Sequence, residues 1–546
     1  MAGKPRPVEA HDALDNLVNQ FSDPMSFFRE LIQNSLDAGS PEIEIWFEFQ
    51  EGPEGEAGIM IVHVDDFGEG MDREIIDAKL TRLFSSSKDG DLTKIGRFGI
   101  GFVSVFAIEP DAVCVDTSRG GENWRVLFKR DRTFHRIKRD EPEDGTKIQI
   151  IKTATPEELA AFKRRAEEVV TYWCKHATAE IRFEGEPVNE PFGINCPVQV
   201  DHDADGTAVV VGIPADAKPF FGFYNKGLTL HEGHEDLLGG LVFKINSRYL
   251  EHTLTRDNVL RDESFHKAME IARGLADGPL PDRLYDQLAH AVADGATGWE
   301  VDFLYAALGT MVITRKTRPS DVDDRIFYKT VRGGEATVSE IRRAQRKGRL
   351  LVDTKESPLI EALETREGAI VLAVAPETVA HETLTILLDG EPPRANGRFC
   401  HPVPATSAAE GRAWEPLRRG LSRLFDDHGA KLSDVALAHF AYPGSSIVGQ
   451  VAITQQDLGE VTAVEEAKGL GRSFFSRRRV MVVNADHPTV QRLIRVSAAE
   501  PEFASYVLAK LFFLRGELTT TLDADLLNHA LIRRDLRWAA DAHQGA

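Results

Sequence analysis

The sequence has few cysteines, and they are not arranged as pairs. The four cysteines lie far apart without a CxxC motif: Cys114, Cys174, Cys196 and Cys400. Neither a disulfide framework nor a zinc site is therefore predicted. Because such cysteine usage is typical of proteins kept reduced, a reducing cytoplasm is the compartment that fits best.

A long apolar run is also missing. The N-terminus, Met-Ala-Gly-Lys-Pro-Arg-Pro, has no apolar segment of the kind found in signal peptides. The apolar stretch from Tyr506 to Leu514 is interrupted by Lys510, and it is far shorter than the roughly 20 residues that a transmembrane helix requires. We predict a cytoplasmic protein without a membrane partner.

Positive charge is in deficit, with 65 Lys and Arg against 86 Asp and Glu and a formal net charge of −21. This balance opposes non-specific attraction to phosphate backbones, so nucleic acid is possible but not favoured as a partner. Two basic clusters depart from the acidic average. They are Arg342, Arg343, Arg346, Lys347 and Arg349, and Arg477–Arg479 after Phe474 and Phe475. A solvated or intersubunit surface is the favoured interpretation of both.

A chain of 546 residues is too long for a single core and suggests about three domains. Alternating helix and strand signals predict a layered α/β domain over residues 1–153. Residues 154–295 read as a mixed α/β middle domain, with a linker at 294–298. Residues 296–546 read as an α+β C-terminal region, for which dimerisation or partner binding is predicted.

One predicted helix, Phe28–Ala38, carries a polar stripe. At 100° per residue, Glu30, Asn34 and Asp37 fall within about 60° of one another. Phe28, Leu31, Ile32 and Ser35 project from the opposite side. A solvated surface is the ordinary explanation for such a stripe, and the motifs that follow this helix weigh against it.

Three glycine-bearing motifs follow in order. Asp65–Met71 ends an apolar strand, where a carboxylate can accept from an amine and glycines let the backbone approach a flat ring. Gly96–Phe102 leads into a short helix, so its N–H groups can converge on phosphate oxygens. Asp144–Ile148 supplies a hydroxyl at the start of a strand.

Together these elements resemble the ATPase superfamily of DNA gyrase, heat shock protein 90, sensor histidine kinases and MutL. The resemblance covers residues of about 10–155 and implies a Bergerat-type α/β sandwich that binds and hydrolyses ATP. Within the superfamily, the segment Ile95–Phe106 is most similar to the lid of the heat shock protein 90 chaperones. Histidine kinases usually lack the glutamate found here at position 30.

The resemblance implies a role for each motif residue. Glu30 orients and deprotonates the attacking water, and Asn34 binds the Mg²⁺ that bridges the phosphates. Asp66 accepts from the adenine amine, directly and through a water that also reaches Thr146, while Asp37 shapes the ribose side. The remaining nucleotide contacts implied are Gly68, Gly70, Met71 on the ring, Lys88, Gly96, Arg97, Phe98, Gly99, Ile100, Gly101 and Phe102. ATP and Mg²⁺ are the predicted ligands.

The middle region carries a second match. Gly240–Ser247 followed by Leu254–Leu260 is similar to the chaperone segment in which an arginine reaches the γ-phosphate. This similarity implies that role for Arg256, and an ordinary ion-paired arginine at a helix start is the alternative. At the position where the chaperone has an asparagine near the nucleotide, this sequence has Lys79 or Leu80, which leaves sugar and phosphate contacts there open.

The sequence therefore predicts a chaperone-like ATPase that forms a homodimer and acts on client or partner proteins. Its ATP cycle is expected to close the lid and bring two N-terminal domains together. The alternative is a MutL- or MORC-like clamp that closes on nucleic acid in genome maintenance or defence. A nucleotide-gated scaffold with negligible turnover is a third possibility.

Overall fold

The computed structural model describes residues 23–53, 57–81, 100–253, 258–315, 319–428, 432–468, 479–514 and 518–544. The chain divides into two compact units, Met1–Arg283 and Leu284–Ala546. The first unit contains the elements of the predicted ATPase domain and most of the predicted middle domain. The predicted boundaries at 153 and 295 remain predictions.

The first unit combines two sheets with five α-helices in its described part, and a sixth begins in it and continues into the second unit. The five helices are α1 (Phe27–Asp37), α2 (Arg73–Ile75, continued by a π-turn at Ile76–Leu80), α3 (Ile100–Val103), α4 (Pro156–Trp173) and α5 (Glu263–Asp277), and the sixth is α6 (Pro279–Ala293). The strands are β1 (Glu42–Gln50), β2 (Gly58–Asp66), β3 (Ala112–Arg119), β4 (Glu122–Lys129), β5 (Phe134–Lys138), β6 (Thr146–Ala154), β7 (Glu180–Phe183), β8 (Glu186–Pro187), β9 (Val198–Ala204), β10 (Thr207–Ile213), β11 (Phe220–Asn225), β12 (Leu228–Gly233) and β13 (Val242–Ser247).

The first sheet has eight strands in the order β5-β4-β3-β6-β2-β1-β7-β8. Its neighbours pair antiparallel except β1 and β7, which are parallel. Alternate residues such as Ile43, Val62 and Ile150 are fully buried, as the period-2 pattern of half-buried strands predicts. The central position of β2 and β6 brings the motifs after β2 and before β6 side by side.

Helices α1 and α4 pack on the buried face of this sheet. Phe27, Phe28 and Ile32 are fully buried in the common core. Helix α4 begins at a capping box, in which Thr155 and Glu158 satisfy each other's backbone N–H groups. The apolar side of α1 therefore fixes its rotation, and with it the direction of its polar residues.

The second sheet of the first unit has five strands in the order β12-β11-β13-β10-β9. It is antiparallel except for the β11–β13 pair. Helix α5 packs on it, with Phe265, Met269 and Ala272 buried. The sequence has strand-like segments at 208–211 and 222–224, which lie within β10 and β11, and at 241–245, which overlaps β13.

The second unit is a mixture of helices and small sheets. Its helices are α7 (Trp299–Arg315), α8 (Pro319–Val322), α9 (Val338–Arg346), α10 (Pro358–Thr365), α11 (Val379–Leu388), α12 (Ala395–Arg398), α13 (Ala408–Asp427), α14 (Pro488–Ser497), α15 (Pro501–Phe513) and α16 (Thr520–Gln544). Its strands are β14 (Tyr328–Lys329), β15 (Glu335–Ala336), β16 (Leu350–Asp353), β17 (Ile370–Ala373), β18 (Phe399–Cys400), β19 (Val403–Pro404), β20 (Leu432–His439), β21 (Ala452–Gln455), β22 (Thr462–Ala463) and β23 (Arg479–Asn484).

The largest sheet of this unit has the order β19-β20-β23-β21. Its apolar core joins Leu417 and Leu421 of α13 to Met481 of β23 and Leu508 of α15. The predicted mixed α/β architecture is thus confirmed in both units. None of the helices in the described part of the chain combines the length and the apolar composition that crossing a membrane requires.

Candidate functional site

Helix α1 does not leave its predicted polar stripe uniformly exposed. Glu30 is buried, with 6% of its surface exposed, whereas Asn34 and Asp37 are exposed. Asp23 starts the segment by accepting from the N–H of Met25 (2.9 Å). A surface role therefore fails to explain Glu30, which lies inside the fold on the same side of the helix as Asn34.

Glu30 lies against the helix that follows the glycine-rich segment. A Cβ added to Gly101 would come within 2.7 Å of Glu30 Oε2. The absence of a side chain at Gly101 therefore leaves the space that this carboxylate occupies. The contact brings together the two motifs to which the sequence assigned water activation and phosphate binding.

The rest of the glycine-rich segment is described only in part. Gly96, Arg97, Phe98 and Gly99 lie outside the described residues, as do Lys88 and Arg256. Ile100 begins α3. Phe102 is buried in the core with its ring 5.2 Å from that of Phe128, so the structure gives this residue a packing role. Its predicted nucleotide contact remains a prediction.

Asp66 lies at the end of β2 and is buried. Ser35 Oγ donates to its Oδ2 (3.0 Å), and the N–H of Gly68 donates to its Oδ1 (3.0 Å). Burial raises the pKa of Asp66 despite hydrogen bonds from Gly68, Ser35 and the Thr146 backbone that favour the charged form. The donors hold the carboxylate in one orientation.

Thr146 lies directly across from Asp66 in the sheet register. Its hydroxyl is 3.0 Å from that of Thr117, and Thr117 Oγ1 accepts from the N–H of Met71 (2.8 Å). The backbone after β2 is thereby tied to strands β3 and β6. A carboxylate and a hydroxyl on adjacent strands form the acceptor and donor pair that the sequence predicts for an adenine amine and its water.

Close backbone approaches hold this group together. A Cβ on Gly145 would lie 2.0 Å from the carbonyl oxygen of Asp66, and one on Gly70 would lie 2.1 Å from that of Ser118. Both glycines also have positive φ, +75° and +66°, which L side chains rarely adopt. At Gly68, a Cβ would meet the carbonyl oxygen of Ala38 at 2.8 Å. The fold therefore requires glycine at positions 68 and 70, the two positions of this group that were predicted to contact the nucleotide.

Asp37, assigned to the ribose side, forms an ion pair that the sequence did not indicate. Its Oδ1 is 2.6 Å from Nζ of Lys226, in the turn between β11 and β12. Ser35 and Thr117 were missed as well. Ser35 was placed on the packing side of the helix, and it is buried there as a donor to Asp66. Register alone could have identified Thr117, which pairs with Thr146.

Magnesium would need partners beyond the protein at this site. Among the residues that the structure describes, no three His, Cys, Asp or Glu side chains cluster as metal ligands. Mg²⁺ prefers oxygen ligands and commonly combines one or two protein groups with substrate phosphates and waters. The exposed amide of Asn34, one turn from the Glu30 carboxylate, fits a single-ligand role of that kind.

The opposite face of the sheet carries a second buried carboxyl beside Asp66. The indole N–H of Trp46 donates to Asp65 Oδ2 (3.3 Å). The Trp46 ring also stacks on His63, with centroids 3.5 Å apart. Burial raises the pKa of Asp65 to about 6, against smaller opposing effects of Trp46 and Lys147. This group is therefore ionised at a cost within the folded state.

Asp65 should make the stability of the first unit depend on pH. A carboxyl whose pKa is raised by folding stabilises the protein fully below its ordinary value, and this contribution is lost as the pH rises through about 6. We expect the free energy of unfolding of Asp65→Asn in urea to exceed that of wild type at pH 7.5, by at most roughly 3 kcal/mol, and most of that advantage to be lost at pH 4.5. Asp140→Asn, an exposed position, is the control. An equal response of both variants at the two pH values would contradict the assignment.

Comparisons with known proteins agree with the site. Residues 25–158 match the family model described as histidine kinase-, DNA gyrase B-, and HSP90-like ATPase. Chaperone protein HtpG of Anaplasma phagocytophilum (strain HZ) is 32% identical over 194 residues, covering 30% of this chain and 29% of the relative. HtpG of Coxiella burnetii (strain RSA 331 / Henzerling II) is 28% identical over 190 residues, covering 29% and 28%.

DNA mismatch repair proteins are a second kind of relative. MutL of Streptococcus sanguinis (strain SK36) is 31% identical over 158 residues, covering 27% of this chain and 22% of the relative. The chain thus spans less than a third of the length of the curated relatives it matches. Residues 25–158 match the ATPase superfamily that the sequence motifs indicate.

Proposed function

We propose that this protein binds Mg-ATP at the α1 site and hydrolyses it in a chaperone-like cycle. The observation that carries the proposal is the buried carboxylate of Glu30, which lies against Gly101 of α3. Glu30 is on α1, the helix that also presents Asn34. Phosphoryl transfer to water needs positioning and charge stabilisation more than covalent chemistry. A carboxylate beside the glycine-rich segment and an exposed amide one turn away provide both.

Each residue has one task in this mechanism. The Asp66 carboxylate accepts from the adenine amine, and the Thr146 hydroxyl orients the water shared with it. The carboxylate of Glu30 accepts a hydrogen bond from the attacking water, aligns it and takes its proton as the bond to the γ-phosphorus forms and the bond from that phosphorus to the ADP oxygen breaks. Asn34 would hold Mg²⁺, which would neutralise phosphate charge. Arg256, which is not among the described residues, is proposed to contact the γ-phosphate.

The cycle is proposed to act on client or partner proteins through a homodimer. Leu527, Leu531 and Trp538 of α16 are exposed at spacings of four and seven residues, which places them on one side of the helix. A second copy covering this stripe would remove it from water. HtpG relatives at 28–32% identity support the chaperone interpretation of the ATPase segment.

Glu30→Ala tests the catalytic claim directly. Loss of a general base typically lowers turnover by 10²–10⁴-fold, so we expect kcat for ATP hydrolysis to fall at least about a hundredfold. ATP affinity should change less than about threefold, because Glu30 acts on water. Steady-state hydrolysis and calorimetric ATP binding measure the two effects, with Glu51→Ala at an exposed position as control. Equal rates for wild type and Glu30→Ala would contradict the catalytic role of Glu30, and negligible hydrolysis by wild type would favour a scaffold without turnover.

Gly101→Ala tests the contact between Glu30 and α3. The added Cβ would meet the far end of a flexible side chain at 2.7 Å, so the carboxylate should shift while the fold stays intact. Misplacement of this order can cost up to about a hundredfold in rate, and we expect a ten- to hundredfold fall in kcat with ATP affinity retained. Gly193→Ala, where a Cβ meets nothing within 4 Å, should hydrolyse like wild type. Unchanged turnover in Gly101→Ala would show that the carboxylate position is not critical.

A specific surface favours the nucleic-acid clamp as a second candidate. Arg343, Arg346, Lys347 and Arg349, at the end of α9 and the start of β16, are exposed. Within the described residues, no carboxylate lies at ion-pair distance from these four side chains, whereas the neighbouring Arg342 is paired with Asp323 (2.8 Å). We call these four residues the α9 basic patch. Uncompensated cations on an acidic protein are a local footprint for polyanions.

The other predicted basic cluster gives less support. Arg477 and Arg478 lie outside the described residues. Arg479 donates to the carbonyl oxygens of Thr454 and Glu466 (both 3.0 Å). Its guanidinium is therefore engaged in holding the backbone of its own unit, so the α9 basic patch carries the second candidate alone.

Charge reversal separates the two candidates. If the α9 basic patch binds duplex DNA through four phosphates, the affinity should fall with salt with a log–log slope of about −3.6. Arg343→Glu with Arg346→Glu and Lys347→Glu should abolish the binding in fluorescence anisotropy. The control carries the same change in net charge at three other exposed positions, Lys218→Glu with Lys267→Glu and Arg419→Glu. Binding that is absent in wild type, or lost equally in both triple variants, would remove the nucleic-acid candidate.

A further inference from the structure

The turn between β11 and β12 reaches from the second sheet to the nucleotide helix. Lys226 and Gly227 form its tip, with φ of +49° and +80°. Positive φ at both central residues is typical of a two-residue type I′ hairpin turn. From this tip, Lys226 Nζ lies 2.6 Å from Oδ1 of Asp37, the last residue of α1.

The backbone of the turn is fixed by close contact with the segment that follows α4. A Cβ on Gly227 would lie 1.7 Å from the carbonyl oxygen of His176, which follows α4. The N–H of His176 donates to the carbonyl of Gly227 (3.2 Å), and the N–H of Gly227 donates to Asn246 Oδ1 (2.9 Å). Lys226 is therefore presented from a tip with little freedom to shift.

Buried contacts of residues near the turn further restrict its position. Leu228 is buried in the core of the first sheet, and Thr229 Oγ1 donates to the carbonyl of Tyr172 (2.7 Å). Lys244 Nζ donates to Nε2 of His176 (2.9 Å) in a buried pair. The second sheet and the end of α4 thus pack as one body around the turn.

The ion pair itself is of a different kind. The side chains of Lys226 and Asp37 are 51% and 45% exposed, and exposed pairs contribute about 0–1 kcal/mol. Such a contact adds little to stability. It does place a cation within a few ångströms of an acidic residue one helical turn beyond Asn34, and in 0.1 M salt charges act over about 10 Å. The contact is therefore suited to adjust the charge around the nucleotide.

We propose that Lys226 is a positioning residue for the nucleotide site, which neutralises Asp37 and ties the end of α1 to the second sheet. The proposal rests on the proposed ATP-binding function. An uncompensated Asp37 would repel the anionic nucleotide, and Lys226 removes that repulsion.

The sign of the effect gives a sharp test. Lys226→Met keeps the side-chain stem and removes the charge, and we expect it to raise the Kd for ATP about two- to fivefold, the range that an exposed pair allows. Lys226→Arg should keep wild-type affinity. In an Asp37→Asn background, Lys226→Met should no longer change the Kd for ATP, because the charge that Lys226 compensates is absent. The loss in Lys226→Met should vanish in about 1 M salt, where the Debye length is about 3 Å.

Calorimetric ATP binding on the full-length chain measures these effects without relying on turnover. Lys218→Met is the matched control, since Lys218 is 80% exposed in the segment before β11 and pairs with its neighbour Asp216 at 3.7 Å. The proposal is overturned if Lys226→Met binds ATP like Lys218→Met, or if it raises the Kd for ATP equally in the wild-type and Asp37→Asn backgrounds. A merely structural role would lower the unfolding temperature and affect both backgrounds alike. Wild type that binds no ATP would overturn the proposed function as well, whereas wild type that binds normally confines a failure to Lys226.

Discussion

The buried carboxylate of Asp66 is the constraint on which the site depends. A buried charge is tolerated only with hydrogen-bond donors close by, and those donors come from different segments. Ser35 of α1 and the N–H of Gly68 hold its two oxygens, and Thr146 faces it across the sheet. These bonds require α1, the end of β2 and the start of β6 to approach closely, which glycine at 145 makes possible. The geometry of one carboxylate therefore sets the positions of three motifs that are far apart in the sequence.

Three polar residues of α1 lie in three different electrostatic environments. Glu30 is enclosed beside Gly101, Asn34 faces solvent, and Asp37 is exposed but compensated by Lys226. A confined carboxylate suits the removal of a proton from one held water, and an exposed amide suits an ion that arrives with its substrate. The buried aromatic side of α1 makes this division possible, because it fixes the rotation of the helix. The compensating cation comes from the second sheet, so the site is not electrostatically complete within its own layer.

What the proposed ATP cycle acts on depends on the second unit. A nucleotide site specifies a reaction and leaves open what the attached domains act on, and both HtpG and MutL proteins are among the relatives of this chain. The second unit offers two distinct surfaces in its described part. The apolar stripe of α16 suits a second copy of the chain, and the α9 basic patch suits a polyanion. Their chemistry differs enough for salt and charge reversal to distinguish them.

The sequence by itself determined the elements and the superfamily, because periodicity and the glycine motifs are local. It predicted alternating helices and strands over residues 1–153, and the resemblance to the superfamily grouped Glu30, Asn34 and Asp66 at one site. Only the tertiary structure decided that Glu30 is buried while Asp37 is exposed, since both lie on one stripe. It alone revealed the tie between Asp37 and Lys226, which are 189 residues apart. Pairings of that kind depend on how sheets pack, and neither residue's local pattern contains that information.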